Sequence, residues 1–332
     1  SIPENDIFNT LESYHFDVMC RNYQKVYVDY DTTNNHNINS GQMAHTIEKG
    51  LDLVADNGTI YLYSDITDEN IIIDKRVHLT TADNQPCVEF NQVHINSDAS
   101  FNLYNVICNN TTIHTTNATS IDNCSFINND DTAILVENGE LYINNTLFNN
   151  NHATNGACIY VSNKNKNTEI TNCTFTNNSA DIYGGAIYSD KGNNVLISHC
   201  IFRHNSATNG ASIYINGNGV ISENNFYENN GTSEIMIIAG IIESMLNLFD
   251  GNICAFKNNG YITSNMCYWG TNDIIEIEDA LYNNNLNNNQ IIIDSWLIMT
   301  DNIINKYTTK DAPDIQTTIN TINYIEFDGG SK

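Results

Sequence analysis

Three prolines, two tryptophans and thirteen basic residues in 332 are the scarcities of this chain. With so little proline and 41% hydrophobic residues, it is neither collagen-like nor a disordered tether. Thirteen bases against thirty-nine acids leave a formal charge of −26, a field that repels phosphate backbones and anionic lipid headgroups. Nucleic acid and membrane-surface partners are thereby disfavoured. No apolar run reaches the ~18 to 20 residues of a bilayer span, so these residues are expected not to insert into a membrane. No basic stretch followed by an apolar one opens the sequence, and any export signal or anchor is expected to lie outside residues 1–332. Nine cysteines, an odd number with no CxxC pair, disfavour a zinc site and a fully paired disulfide framework.

What the chain has in excess is asparagine, 59 residues of it, and the excess is periodic. NCSFINN (residues 123–129), NTLFNNN (145–151), NCTFTNN (172–178), HCIFRHN (199–205) and ENNFYEN (223–229) align on one aromatic anchor. Weaker copies flank them at 106–110 (VICNN), 246–252 (LNLFDGN) and 266–270 (MCYWG). The anchors Cys108, Phe126, Phe148, Phe175, Phe202, Phe226, Phe249 and Trp269 are about 18 to 27 residues apart. That spacing suits β-solenoids and leucine-rich repeats, and the LxxLxL pattern of the latter is missing.

Five residues before the anchor stands isoleucine (Ile121, Ile143, Ile170, Ile197, Ile221), and two before it a small residue (Cys124, Thr146, Cys173, Cys200). Five is odd and strand side chains alternate with period two, so a bend must separate isoleucine from aromatic. A further short strand follows about ten residues on, as AILV, ACIYV, GGAIYS, ASIYI and EIMII. Three short strands per repeat, joined by Asn/Gly/Ser corners, describe one coil of a right-handed parallel β-helix, an all-β fold whose coils stack ~4.8 Å apart. Asn129, Asn151, Asn178, Asn205, Asn229 and Asn252 then share one corner, where asparagine tolerates a left-handed backbone and its amide can bond along the stack. The alternative is a polar ligand face. Cys124, Cys173, Cys200 and Cys267 read as small core residues, with a metal or redox array, or a Cys173–Cys200 disulfide, as alternatives.

Residues 1–57 read as an edge strand at Lys25 followed by one amphipathic helix over 42–55, with Met43, Ile47, Leu51 and Val54 at helical spacing and Asn57-Gly58 as its stop. Its apolar face would cover the first rung. Residues 58–300 carry the β-helix, including an acidic, Asn-rich excursion at 273–289 and a last strong strand from Ile291. Residues 301–332 read as a polar cap or tail, or a linker to further domains.

The run YVDYDTTNNHNINSGQMAHTIEKGLDLVADNGTIYL, the FxxN and GGAIY repeats and the closing YWGTN together resemble the adhesin-like surface proteins of methanogenic archaea, over about residues 27–300. FxxN and GGAI are also similar to the chlamydial polymorphic outer-membrane adhesins, though those short motifs chiefly report coil geometry. The resemblance implies an exported cell-envelope protein with a pectin-lyase-like β-helix whose role is attachment to other cells or surfaces, and it names no ligand. An extracellular location, a surface glycan or protein of another cell as partner, a monomer and no cofactor are expected.

The same fold class houses polysaccharide lyases and hydrolases, which need calcium held by aspartates near a base, or clustered carboxylates. Only three arginines are present, Arg21, Arg76 and Arg203, and no aspartate cluster converges in the repeats. No enzymatic activity and no metal site are expected; a carbohydrate-active enzyme and a purely structural envelope component are the alternatives. The best polar constellation is His199, Arg203 and His204 with Tyr227 and Glu228 one coil on, and its plain reading is a surface salt bridge worth ~0 to 1 kcal/mol. Candidate ligand contacts are Lys164, Lys166 and Lys191, on variable loops at 161–169, 189–194 and 215–219 along one edge. They would receive an anionic group; the alternative is that they merely solvate those loops. The nine sequons, from Asn57 to Asn230, are about as many as chance gives at this composition.

Overall fold

The computed structural model describes residues 22–34, 36, 38, 40–162, 166–250, 256–258, 260–273, 275–277, 291–300, 303–309 and 312–318. Asn252 of the expected ladder, two of the nine cysteines and most of the acidic excursion lie outside them.

The chain is an all-β parallel solenoid. Isoleucine and anchor fall on consecutive strands, as in Thr119–Asp122 and Ser125–Ile127, and the third strand of that coil is Ile134–Val136. The anchor strands form a nine-stranded parallel sheet, one strand per coil, from Ile66–Thr67 to Leu248–Asp250. Its register places Phe90, Cys108, Phe126, Phe148, Phe175, Phe202, Phe226 and Phe249 in one row. Successive rings from Phe126 to Phe249 stack 4.8 to 5.2 Å apart, and Trp269 caps the stack at 5.3 Å. Ile121, Ile143, Ile170, Ile197 and Ile221 form a second buried row in register. Phe90 extends the anchor row one coil beyond the copies visible in the repeat alignment.

From the Cys108 coil to the Phe226 coil, a single left-handed residue stands at each end of the anchor strand. One column comprises Asn105, Asn123, Asn145, Asn172, His199, Glu223, Leu246 and Met266, with φ between 48° and 61°. The other includes Asn110, Asn128, Asn150, Asn177, His204 and Glu228. Asparagine dominates because its short amide tolerates this region best among chiral residues. The expected corner is corrected by one position: the left-handed residue precedes the ladder asparagine, which points inward instead.

Inside, Asn129, Asn151, Asn178, Asn205 and Asn229 are buried and bonded in series. In each step the Nδ2 donates to Oδ1 of the next coil, at 2.7 to 3.1 Å. From Asn151 onward Nδ2 also donates to an anchor carbonyl, that of Phe126, Phe148, Phe175 or Phe202. Each Oδ1 from Asn151 on also accepts the backbone N–H of the asparagine before it. Asn129 Oδ1 has no partner, because the preceding coil supplies Thr111, whose hydroxyl donates to Phe90 O and accepts from the Val93 amide. A shorter ladder, Asn224 to Asn247, continues the column of Cys200. All seven described cysteines are free and all but Cys87 are buried, Cys124, Cys173 and Cys200 packing as core residues.

The amino-terminal segment differs from expectation. A 3-10 turn (Ser40–Gln42) leads to a two-residue strand (Met43–Ala44), and the α-helix spans only Ile47–Leu53. Thr46 sets its start, its hydroxyl accepting the Lys49 N–H at 3.2 Å. Met43–Ala44 instead pairs with Tyr27–Val28, and Val54 opens the strand Val54–Leu62, within which Asn57 is left-handed. The strand Tyr23–Val28 is paired on both sides and is no edge. Ile47 and Leu51 join the core. Beyond it, the buried carboxylate of Asp29 accepts from Asn34, the Asp31 amide and His36; burial would raise its pKa, but these bonds hold it down to about 2.

At the other end Ile291–Thr300 pairs in parallel with Tyr261–Cys267, then antiparallel with Ile303–Thr309, which pairs with Ala312–Thr318. The strands Ile303–Thr309 and Ala312–Thr318 both fall within the segment read as a cap, tail or linker.

Candidate functional site

The expected loop edge is mostly strand. Residues 189–194 lie within the continuous strand Ile187–Ser198, and 215–219 within Ile213–Ser222. Both stretches are rich in glycine and asparagine, the composition of a loop, yet Ser189 and Asn193 point inward and are fully buried. Asn193 Nδ2 donates to Ser189 Oγ and to the carbonyls of Val161 and Asp190, which ties the corner to the core. Lys166 is exposed and Lys191 lies on the first of these strands, while Lys164 falls outside the described residues.

The polar constellation divides in two. His204 Nε2 lies 3.2 Å and Arg203 Nη2 3.7 Å from Glu228 Oε2. His199 is on the far side of the strand Ile201–Arg203 and pairs at 2.6 Å with Glu223, a residue absent from the sequence-based constellation. Both pairs occupy the left-handed columns, stacked one coil apart. They substitute for the amide contacts made elsewhere in those columns, such as Asn150 Nδ2 to Asn128 Oδ1 at 2.8 Å. Tyr227 is in register with Arg203 on the anchor sheet. These groups are substantially exposed, so their pairing is worth little.

Two outward surfaces have more shape. A groove of about 580 Å3 runs across the row Tyr142, Glu169, Leu196, Val220 and Glu243, which are in register on five coils. Ile241, 56% exposed, lines it as well. On the neighbouring face, His114, Leu135, Tyr160, Tyr188, Tyr214 and Met236 are in register as one row, half-buried as far as Tyr188 and buried at Tyr214 and Met236. Its three tyrosine rings stack at 4.7 and 4.8 Å. Burial and the nearby Tyr183 and Asp190 push the Tyr214 hydroxyl up to about 12, so this ring is uncharged at neutral pH. Sequence reasoning missed this row, although the repeated tyrosine of CIYV, AIYS and SIYI was a signal for it.

Glu234 was also missed. It is buried in a column otherwise built of Ala133, Cys158, Ala186 and Ser212, with Ser212 Oγ donating to it at 3.1 Å and its Oε1 unpartnered. Burial raises its pKa to about 8. Among the described residues no three histidine, cysteine, aspartate or glutamate side chains converge as a metal site, and no helix is long and apolar enough to cross a membrane.

Residues 172–190 match the Chlamydia polymorphic membrane protein repeat. The segment is one coil in miniature: left-handed Asn172 and Asn177, anchor Phe175, ladder Asn178, then Gly184-Gly185. Gly184 has φ +60°, and a Cβ on Gly185 would sit 2.1 Å from the Ala211 carbonyl oxygen, so both must be glycine. No curated protein and no solved structure matches the chain significantly. What this chain shares with the chlamydial repeat is thus a coil-forming segment of 19 residues.

Proposed function

We propose that the chain is the ligand-presenting solenoid of an extracellular cell-envelope protein that attaches its cell to a surface glycan or protein of another. The observation that carries this reading is the combination of a rigid, ladder-braced coil stack with a coil that matches a repeat of polymorphic membrane proteins. The sequence resemblance to adhesin-like surface proteins of methanogenic archaea adds to it, and with it a right-handed, pectin-lyase-like winding. In this reading the helix Ile47–Leu53, which buries Ile47 and Leu51, covers one end of the stack.

Attachment is favoured over catalysis by distance. Glu169 and Glu243 are three coil steps apart in the groove, roughly 14 Å at ~4.8 Å per step, whereas hydrolytic carboxylate pairs stand ~5 to 9.5 Å apart. The test is attachment under flow: beads carrying the chain are passed over archaeal and bacterial cells beside beads carrying an unrelated acidic solenoid. Selective capture by at least one cell type is expected; capture no better than the control across all of them would overturn the reading.

A further inference from the structure

Between the tyrosine row and the next coils lies a pocket of about 470 Å3, lined by His114, Asp131, Thr132, Leu135, Asn155 and Tyr160 among others. Its origin is a change of residue size along one column. Tyr160 stacks on Tyr188 at one face, but its partner in the preceding coil is Leu135 and then His114. Among the described residues Tyr188 is its only ring contact, so the aromatic row ends there and leaves a hollow. The pocket is within the usual range of small-molecule sites, and its lining sets apolar Leu135 and Tyr160 beside polar His114, Asp131, Thr132 and Asn155.

One of those groups is unsatisfied. Asn155 Oδ1 is shielded from solvent and has no hydrogen-bond partner. His114 Nε2 is paired with Glu137 Oε2 at 3.2 Å. Buried polar atoms are nearly always bonded, so an orphaned acceptor at the hollow points to a ligand that carries a hydrogen-bond donor. Thr132 is fixed in place, its amide bonded to Asp131 Oδ1 and its hydroxyl to Asn155 O. No lysine or arginine lines the pocket, while Asp131 does and Glu137 stands beside His114, so an anionic ligand is repelled.

We infer that this pocket binds one uncharged pyranose unit of a glycan. The weakly positive C–H face of the sugar would lie against the electron-rich ring of Tyr160 and against Leu135, and its hydroxyls would reach Asn155 Oδ1 and Asp131. This inference deepens the attachment reading and takes the ligand's cellular source from it.

The experiment is saturation-transfer NMR on the soluble chain with the methyl pyranosides of glucose, galactose and mannose and with N-acetylglucosamine. Glucuronic acid and glucosamine serve as charged comparators. Saturable binding of at least one neutral sugar is expected, weakened about tenfold or more by Tyr160→Leu and by Asn155→Leu and unchanged by His204→Ala. Should Tyr160→Leu fail to fold, Asn155→Leu, which keeps the side-chain size and removes the acceptor, carries the test. Absence of binding by all four neutral sugars would overturn the inference. So would tighter binding of either charged comparator, or affinity indifferent to both substitutions. Bead attachment that survives loss of sugar binding overturns the pocket alone; sugar binding by a chain that captures no cells overturns the attachment reading alone.

Discussion

Replacing Asn205 by alanine would withdraw four hydrogen bonds from a site with no access to solvent. Oδ1 accepts the Asn178 backbone N–H at 3.1 Å and the Asn178 amide at 2.9 Å, while Nδ2 donates to Phe175 O at 2.9 Å and to Asn229 Oδ1 at 3.1 Å. Asn229 Oδ1 keeps the Asn205 N–H, so that loss is partly covered. Two donors of Asn178 and the Phe175 carbonyl lose a partner, and each buried orphan costs about 1 to 3 kcal/mol, giving about 3 to 9 kcal/mol in all. That is a large share of an ordinary domain's stability of about 5 to 15 kcal/mol. The neighbouring column provides the contrast. Asn177 is exposed at φ +55°, so Asn177→Ala should cost about 1 to 2 kcal/mol from backbone strain, and Asn177→Gly almost nothing. Urea titrations followed by far-UV circular dichroism give the differences at constant slope, and hydrogen exchange at residues 174–178 shows whether the opening is local. An Asn205→Ala variant within about 1 kcal/mol of the parent, or one less damaged than Asn177→Ala, would refute the ladder as a structural brace.

Phe202→Ala should cost about 3 to 5 kcal/mol in the same titration, because rings held 4.8 and 4.9 Å on either side cannot close the void. Glu234 has a folded pKa of about 8 against 4.5 unfolded, so it leaves stability intact below about pH 4.5 and removes it as the pH rises toward 8, about 3 kcal/mol by pH 7. Glu234→Gln should therefore flatten the urea midpoint between pH 5 and 7.5, and an unchanged slope would contradict the assignment. On the reading that the helix Ile47–Leu53 covers the end of the stack, Ile47→Asp with Leu51→Asp should cause association, seen as a mass increase by light scattering. Arg203→Ala, His204→Ala and Glu228→Gln should each shift stability by less than about 1 kcal/mol and leave attachment intact.

The interior rows were legible because a solenoid repeats its buried positions: isoleucine, small residue, aromatic and ladder asparagine recur at fixed offsets. What blurred the left-handed column was duplication, since Asn128-Asn129, Asn150-Asn151 and Asn177-Asn178 give both positions the same residue. His204-Asn205 and Glu228-Asn229 resolve it: only the inward position keeps its asparagine in those coils. The overlong helix arose because Met43 and Val54 are apolar at spacings that also suit adjacent strands. Residues 189–194 and 215–219 have loop composition, and only pairing across coils, such as Asn193 with Gly217, holds them in the sheet. The pocket was illegible for a further reason. His114, Leu135, Asn155 and Tyr160 come from successive coils at outward positions, where no burial requirement imposes a repeat.

Attachment and catalysis part most directly on a surface of immobilised polysaccharide. The layer mass is followed by interferometry while the soluble chain is flowed over it and then washed away, and the effluent is assayed for reducing ends and unsaturated products. Reversible loading that returns the layer to its starting mass, with no product above the buffer control, is the result expected of a glycan-binding solenoid. A layer that loses mass while products accumulate would show that the chain cuts the polymer it meets.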